Sequence, residues 1–84
     1  MNKVELEGTI YSYGVSADNV EICIKTQDGT ENTFHRVVAI MPRCEIVKMA
    51  VGKDIHIEGS LRSVPMSGVD RLYVYVLASL VEIG

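Results

Sequence analysis

Phe34-His35-Arg36-Val37-Val38-Ala39-Ile40-Met41, Pro42-Arg43-Cys44-Glu45-Ile46-Val47-Lys48-Met49-Ala50-Val51, Gly52-Lys53-Asp54, Ile55-His56-Ile57-Glu58-Gly59-Ser60-Leu61-Arg62 is the stretch whose reading decides the fold. Its first part is β-branched and apolar around a polar His35-Arg36 pair, which suits a half-buried pleated surface. Pro42 ends that strand, since proline cannot donate to a ladder and its fixed φ suits the first turn of a helix. Ile46, Met49 and Ala50 then recur at i, i+3 and i+4, predicting a helix of about two turns near Pro42–Val51. After the Gly52-Lys53-Asp54 turn, Ile55, Ile57, Gly59 and Leu61 alternate with His56, Glu58, Ser60 and Arg62. That period of two marks a strand with one wet face.

Working outward, Val4, Leu6, Gly8 and Ile10 alternate with Lys3, Glu5, Glu7 and Thr9 in a first strand that continues toward Tyr13. Gly8 weakens a flat strand but permits a sharp bend, and Gly59 offers the same in the fourth strand. Gly14 to Asn19 carries turn residues, and Val20, Ile22 and Ile24 against Glu21, Cys23 and Lys25 make a second alternating strand. Asp28-Gly29 signals a hairpin into the strand Thr33–Met41. A short loop, Pro65–Asp70, precedes a last strand from Arg71 to about Ile83 that is apolar on both parities. Part of it should therefore be covered on both faces, most simply by a second copy of the chain. The expectation is an all-β fold: an OB-fold, a five-stranded Greek-key barrel with one short helix between strands 3 and 4. It fills residues 1–84 as a single domain.

The order Phe-His-Arg-Val-Val, short helix, Val-Gly-Lys-Asp-Ile-His-Ile-Glu-Gly-Ser-Leu-Arg, then Arg-Leu-Tyr-Val-Tyr-Val resembles the core of the bacterial single-stranded-DNA-binding proteins. Asn2-Lys3-Val4-x-Leu6-x-Gly8-x-Ile10 looks like that family's first strand, so the resemblance spans nearly the whole chain. The chain is also similar to the primosomal replication proteins, small OB-folds that dimerise and bind DNA and other primosome components. The resemblance implies single-stranded DNA (or RNA) binding in replication, repair or recombination, without catalysis. The departures are equally plain. There is no tryptophan, the hairpins between strands 2 and 3 and between strands 4 and 5 are short, and the family's acidic tail has no counterpart. The competing reading is an oligomerisation or protein-interaction module with little nucleic-acid affinity.

The chain has 84 residues, 48% of them hydrophobic, enough for one small core. Small cores are often supplemented by a disulfide, a metal or a partner subunit. Cys23 and Cys44 are the only cysteines and read as reduced, half-buried core residues, and two cysteines with two histidines show no zinc spacing. Neither a metal nor a cofactor is expected, and self-association is left as the supplement: a dimer, or a tetramer of two dimers. No apolar run reaches the roughly 18 residues that span a bilayer, and no leader pattern opens the chain, so the expected location is cytoplasmic. Net charge is −3, which opposes purely electrostatic binding to a polyanion unless one basic groove sits on an acidic body.

No phosphate loop, nucleophile elbow or metal-protease motif is present, and Glu5 and Glu7 read as solubilising carboxylates on a wet strand. Single-strand binders combine aromatic rings with a basic groove. The resemblance places Phe34 where that family stacks a base. Arg36 shares its parity, and Lys25 and Arg62 lie on nearby strands as phosphate partners. Tyr11 and Tyr13 share a parity, facing away from Val4, Leu6 and Ile10 if no bulge intervenes at Gly8, and suit either a stacking platform or a dimer contact. His35, Tyr73, Val74, Tyr75 and Val76 are the candidate oligomer interface.

Overall fold

The alternation of the sequence becomes five strands and one helical turn: β1 Val4–Val15, β2 Val20–Asp28, β3 Glu31–Ala39, α1 Arg43–Ile46, β4 Asp54–Pro65 and β5 Leu72–Ile83. The computed structural model describes residues 1–17, 19–68 and 70–84. Asp18, within the turn expected over Gly14–Asn19, and Val69, within the loop expected over Pro65–Asp70, lie outside the described residues. The strands close into a barrel in the order β1-β2-β3-β5-β4. All pairings are antiparallel except β3 with β5, which meet in parallel at Val37↔Val76 and Val38↔Leu77.

The inward row is the apolar parity of each strand. Ile10, Val20, Ile22, Ile24, Val37 and Ile57 are all below 2% exposed and fill the barrel. Burying each such side chain is worth about 1.5–3 kcal/mol. β1 serves two neighbours. Val4 to Thr9 pair with β4, and Thr9 to Val15 pair with β2. Gly8 stands at that crossover, where a β-carbon would collide with the backbone carbonyl oxygen of Lys25. Gly59 has the same role between β4 and β5: a β-carbon there would strike the Leu77 carbonyl oxygen. Beside it the register shifts, and Ser79 donates its hydroxyl to the Glu58 carbonyl at 3.2 Å. Both glycines sit where the sequence predicts strand bends. Gly29 takes the positive φ (66°) of the tight β2–β3 connection, in which Asp28 pairs with Glu31.

The helix is shorter than its stripe predicts. Only Arg43–Ile46 is helical: the Val47 amide still reaches back four residues to Arg43, but Lys48 and Met49 reach back only three, to Glu45 and Ile46. Pro42 supplies no side-chain cap, and a short helix lives on tertiary burial rather than propensity. Ile46 and Met49 find that burial, whereas Val47, Ala50 and Val51 stay exposed. Met49 (5% exposed) plugs the barrel end, and the segment behind it is tied to β1 by bonds from Ile10 to Lys53 and from Gly52 to Ile10.

Candidate nucleic-acid interface

The outward parity of β1, β2 and β3 carries the residues singled out in the sequence. Lys25 is the cross-strand partner of both Thr9 and Phe34, and Cys23 lies between Ser12 and Arg36. Phe34 is 51% and Tyr11 56% exposed, and their rings meet edge-to-face with centroids 4.9 Å apart. Beside them lies a groove of about 630 Å³ bordered by Tyr13, Glu21, Cys23, Phe34, Arg36 and Val74. Both cysteines are free thiols, Cys44 exposed and Cys23 half-buried. Cys23 is on the outer face, not in the core as expected, because its parity opposes that of Ile22 and Ile24.

Tyr13 parts company with Tyr11. The β1–β2 register slips between Ile10 and Ser12, so Tyr11 is the extra residue of a bulge and Tyr13 comes opposite core Ile22. Its hydroxyl donates to the Met49 carbonyl at 3.2 Å, at the plugged end of the barrel. The expected shared parity of the two tyrosines is therefore corrected: Tyr11 turns out toward Phe34, whereas Tyr13 lines the groove from the barrel rim.

Arg36 is already engaged. Its guanidinium lies 4.4 Å above the centroid of the Tyr73 ring, and its Nε is 3.9 Å from Glu21 Oε1. The same carboxylate oxygen accepts the Tyr73 hydroxyl at 2.6 Å. That hydrogen bond, followed by burial, raises the Tyr73 pKa above its ordinary value. Tyr73 in turn packs on Tyr75 at 5.6 Å, and Arg62 is the cross-strand partner of Tyr75 with its Nε bonded to Ser60 Oγ. The Arg62 side of the β4–β5 hairpin thus continues the surface begun by Phe34 and Arg36.

The expected interface residues separate. Val76 is 4% exposed and packed in the core, so it offers a partner no surface; the reason is its inward register opposite Leu61 and Val37. His35 is on the inward row with Val37, its Nε2 hydrogen-bonded to Thr26 Oγ1 at 2.8 Å. Tyr73 and Tyr75 adjoin Arg36 and Arg62 rather than forming a separate face. Val74 remains 47% exposed, as do its hairpin neighbours Leu72 (62%), Leu61 (50%) and Val64 (45%).

Across the barrel, the outward parity of β1 and β4 with the end of β5 collects Glu5, Glu7, Asp54, Glu58 and Glu82 around His56. His56 lies 3.2 Å from both Glu58 and Glu7 and 3.9 Å from Glu5. Its pKa is raised, chiefly by the hydrogen bond to Glu58; burial, the next largest effect, opposes this, and the charges of Glu5, Glu7 and Glu58 add to the rise. Glu5, Glu7 and His56 bring possible ligand atoms within 4.8 Å of one another, but both carboxylates are exposed and the imidazole is already taken by Glu58. A cluster of carboxylates thus surrounds His56 on β1, β4 and β5, while Glu21 borders the aromatic groove. Sequence reading missed Glu21 and Cys23 as groove residues, and no local signal ties Glu21 to Tyr73, 52 residues away.

The sequence matches no protein-family model and no curated protein. Its structure matches solved OB-folds along nearly its whole length. The dimeric N-terminal domain of the PriB protein of Thermoanaerobacter tencongensis superposes with TM-score 0.75 at 17% identity, covering 99% of this chain and 96% of that one. A mitochondrial single-stranded DNA-binding protein of S. cerevisiae gives TM-score 0.80 at 11% identity, covering 98% and 92%. A small single-stranded DNA-binding protein of Mycoplasma pneumoniae gives 0.73 at 21% identity, again covering 98% and 92%. The chain is an OB-fold, a closed five-stranded barrel with its one short helix between β3 and β4.

Proposed function

We propose that this protein binds single-stranded nucleic acid, foremost single-stranded DNA, on the outer face of β1, β2 and β3, as a non-catalytic component of replication, repair or recombination. The observation that carries the reading is the exposed Tyr11–Phe34 pair flanked by Lys25 and Arg36. Exposed rings beside cations are what a sequence-tolerant strand binder needs, because every base has a face to stack and every nucleotide a phosphate. The same face and the neighbouring β4–β5 hairpin are where OB-folds take oligonucleotides. Few cations serve the groove, so affinity is modest and its salt dependence shallow.

The protein acts as a homo-oligomer, a dimer at least. Leu61, Val64, Leu72 and Val74 leave the hairpin apolar on both faces, more than a small monomer ordinarily exposes in one place. The PriB domain it resembles is described as dimeric. Titrating a labelled thymidine oligonucleotide at low and moderate salt tests the binding. Saturable binding that weakens with salt is expected; no binding at low salt hands the fold to the competing reading of an interaction module.

A further inference from the structure

Glu21 is the one carboxylate among the described residues that borders the aromatic groove, and it is held by both groups that a phosphate would seek there. Arg36 Nε stands 3.9 Å from its Oε1, and the Tyr73 hydroxyl donates to that same oxygen at 2.6 Å. The three residues come from three strands, β2, β3 and β5. β3 lies between β2 and β5 in the sheet, so Tyr73 reaches Glu21 across β3 with its ring beneath the Arg36 guanidinium, 4.4 Å away. The β4–β5 hairpin is thereby tied down onto the strand-binding face.

We infer that Glu21 is an internal stand-in for phosphate: it positions Arg36 and Tyr73 and latches the β4–β5 hairpin closed, and a bound strand displaces it. This deepens the proposed function and rests on it. A carboxylate and a phosphate oxygen are both anionic acceptors for guanidinium and hydroxyl donors, so one can replace the other on the same two groups. Two consequences follow for the unmodified protein. Affinity is held down, because the strand must compete with a tethered anion. Arg36 also contributes little to the salt dependence, because its counterion is a side chain and not a salt ion released on binding.

Glu21→Gln keeps the size and removes the charge at an exposed position. It should tighten binding of a thymidine oligonucleotide about three- to tenfold at low salt, the effect of removing one like charge a few ångströms from a phosphate. It should also steepen the salt slope by about 0.7, the contribution of one phosphate contact to a single strand. Adding Arg36→Ala to Glu21→Gln should abolish both gains, and Glu82→Gln, outside the groove, should produce neither. Without any nucleic acid, amide hydrogen exchange over Leu72–Tyr75 should accelerate in Tyr73→Phe, which removes the hydroxyl that ties the hairpin to Glu21. If the wild type binds but Glu21→Gln binds no more tightly and with the same slope, the latch is overturned while the groove stands. A gain matched by Glu82→Gln also overturns it, since general charge then explains the effect. If neither protein binds at low salt, the groove itself fails and the latch with it.

Discussion

The rings of Tyr11 and Phe34 meet edge-to-face at 4.9 Å and 67°, although β1 and β3 are separated by β2. The bulge at Tyr11 makes this possible by turning one extra residue out of the β1–β2 ladder, toward Phe34 over the shared neighbour Lys25. Such aromatic pairs are worth about 0.5–1.5 kcal/mol beyond their buried area. Tyr11→Ala should therefore weaken strand binding in its own right and also loosen Phe34. A double-mutant cycle on oligonucleotide affinity should give non-additive losses, with a coupling of about 0.5 kcal/mol or more. Strict additivity would mean that the two rings do not work as one platform.

Gly8 and Gly59 make a prediction about stability. At each, a β-carbon would run into a backbone carbonyl oxygen of the adjacent strand, of Lys25 and Leu77 respectively. Backbone in a closed barrel cannot swing aside as a flexible side chain can. Gly8→Ala and Gly59→Ala should each lose about 1–3 kcal/mol, the usual cost of overpacking, measured as a fall in denaturant midpoint. Gly14→Ala, where the space is open, should lose much less.

His56 sets a pH dependence. Its folded pKa is raised above 6.5 by Glu58 first, then Glu5 and Glu7, so the folded state favours the protonated imidazole. That stabilisation is complete below pH 6.5 and fades as pH rises through the raised value. Between pH 6 and pH 8 the wild type should lose more stability than His56→Gln in parallel denaturant titrations. Equal losses would show that the cluster does not favour the charged ring in the fold.

Cys23 and Cys44 form an internal pair of reporters. Cys23 borders the groove, whereas Cys44 is exposed on the helical turn. Single-stranded DNA should slow alkylation of Cys23, followed by mass spectrometry, and leave Cys44 unaffected. Equal rates at Cys23 with and without DNA would place the strand elsewhere.

Much of this was legible in the chain, and the misses have physical causes. Strict alternation fixed the strands, and Gly8 and Gly59 marked the places where neighbouring backbones come close. The helix is shorter than its pattern because the Ile46–Met49–Ala50 spacing is local, while the barrel end decides that Met49 and part of Ile46 are covered and Ala50 is not. The parity expected for Tyr11 and Tyr13 fails because the slip between Ile10 and Ser12 falls at ordinary strand residues, with no glycine to signal it. Val76 looked like surplus apolar surface until the parallel β3–β5 pairing turned it inward. The Glu21–Arg36–Tyr73 arrangement depends on that same barrel closure, which no short window of sequence contains.

Self-association should be visible by sedimentation at micromolar concentration as a species of at least twice the 9.3 kDa chain mass. Polar substitution at Leu72 and Val74, both exposed on the hairpin, should shift it toward monomer. A monomer for the wild type would leave the apolar hairpin without its partner.

The most direct test of the account is Phe34→Ala against wild type, titrated into a thymidine strand of roughly 35 nucleotides, several site sizes long. Stacking on one aromatic is worth about 1–3 kcal/mol, so the variant should bind roughly fivefold to a hundredfold more weakly with its oligomeric state unchanged. A wild type that does not bind at low salt, or a Phe34→Ala variant that binds as tightly as wild type, would contradict it.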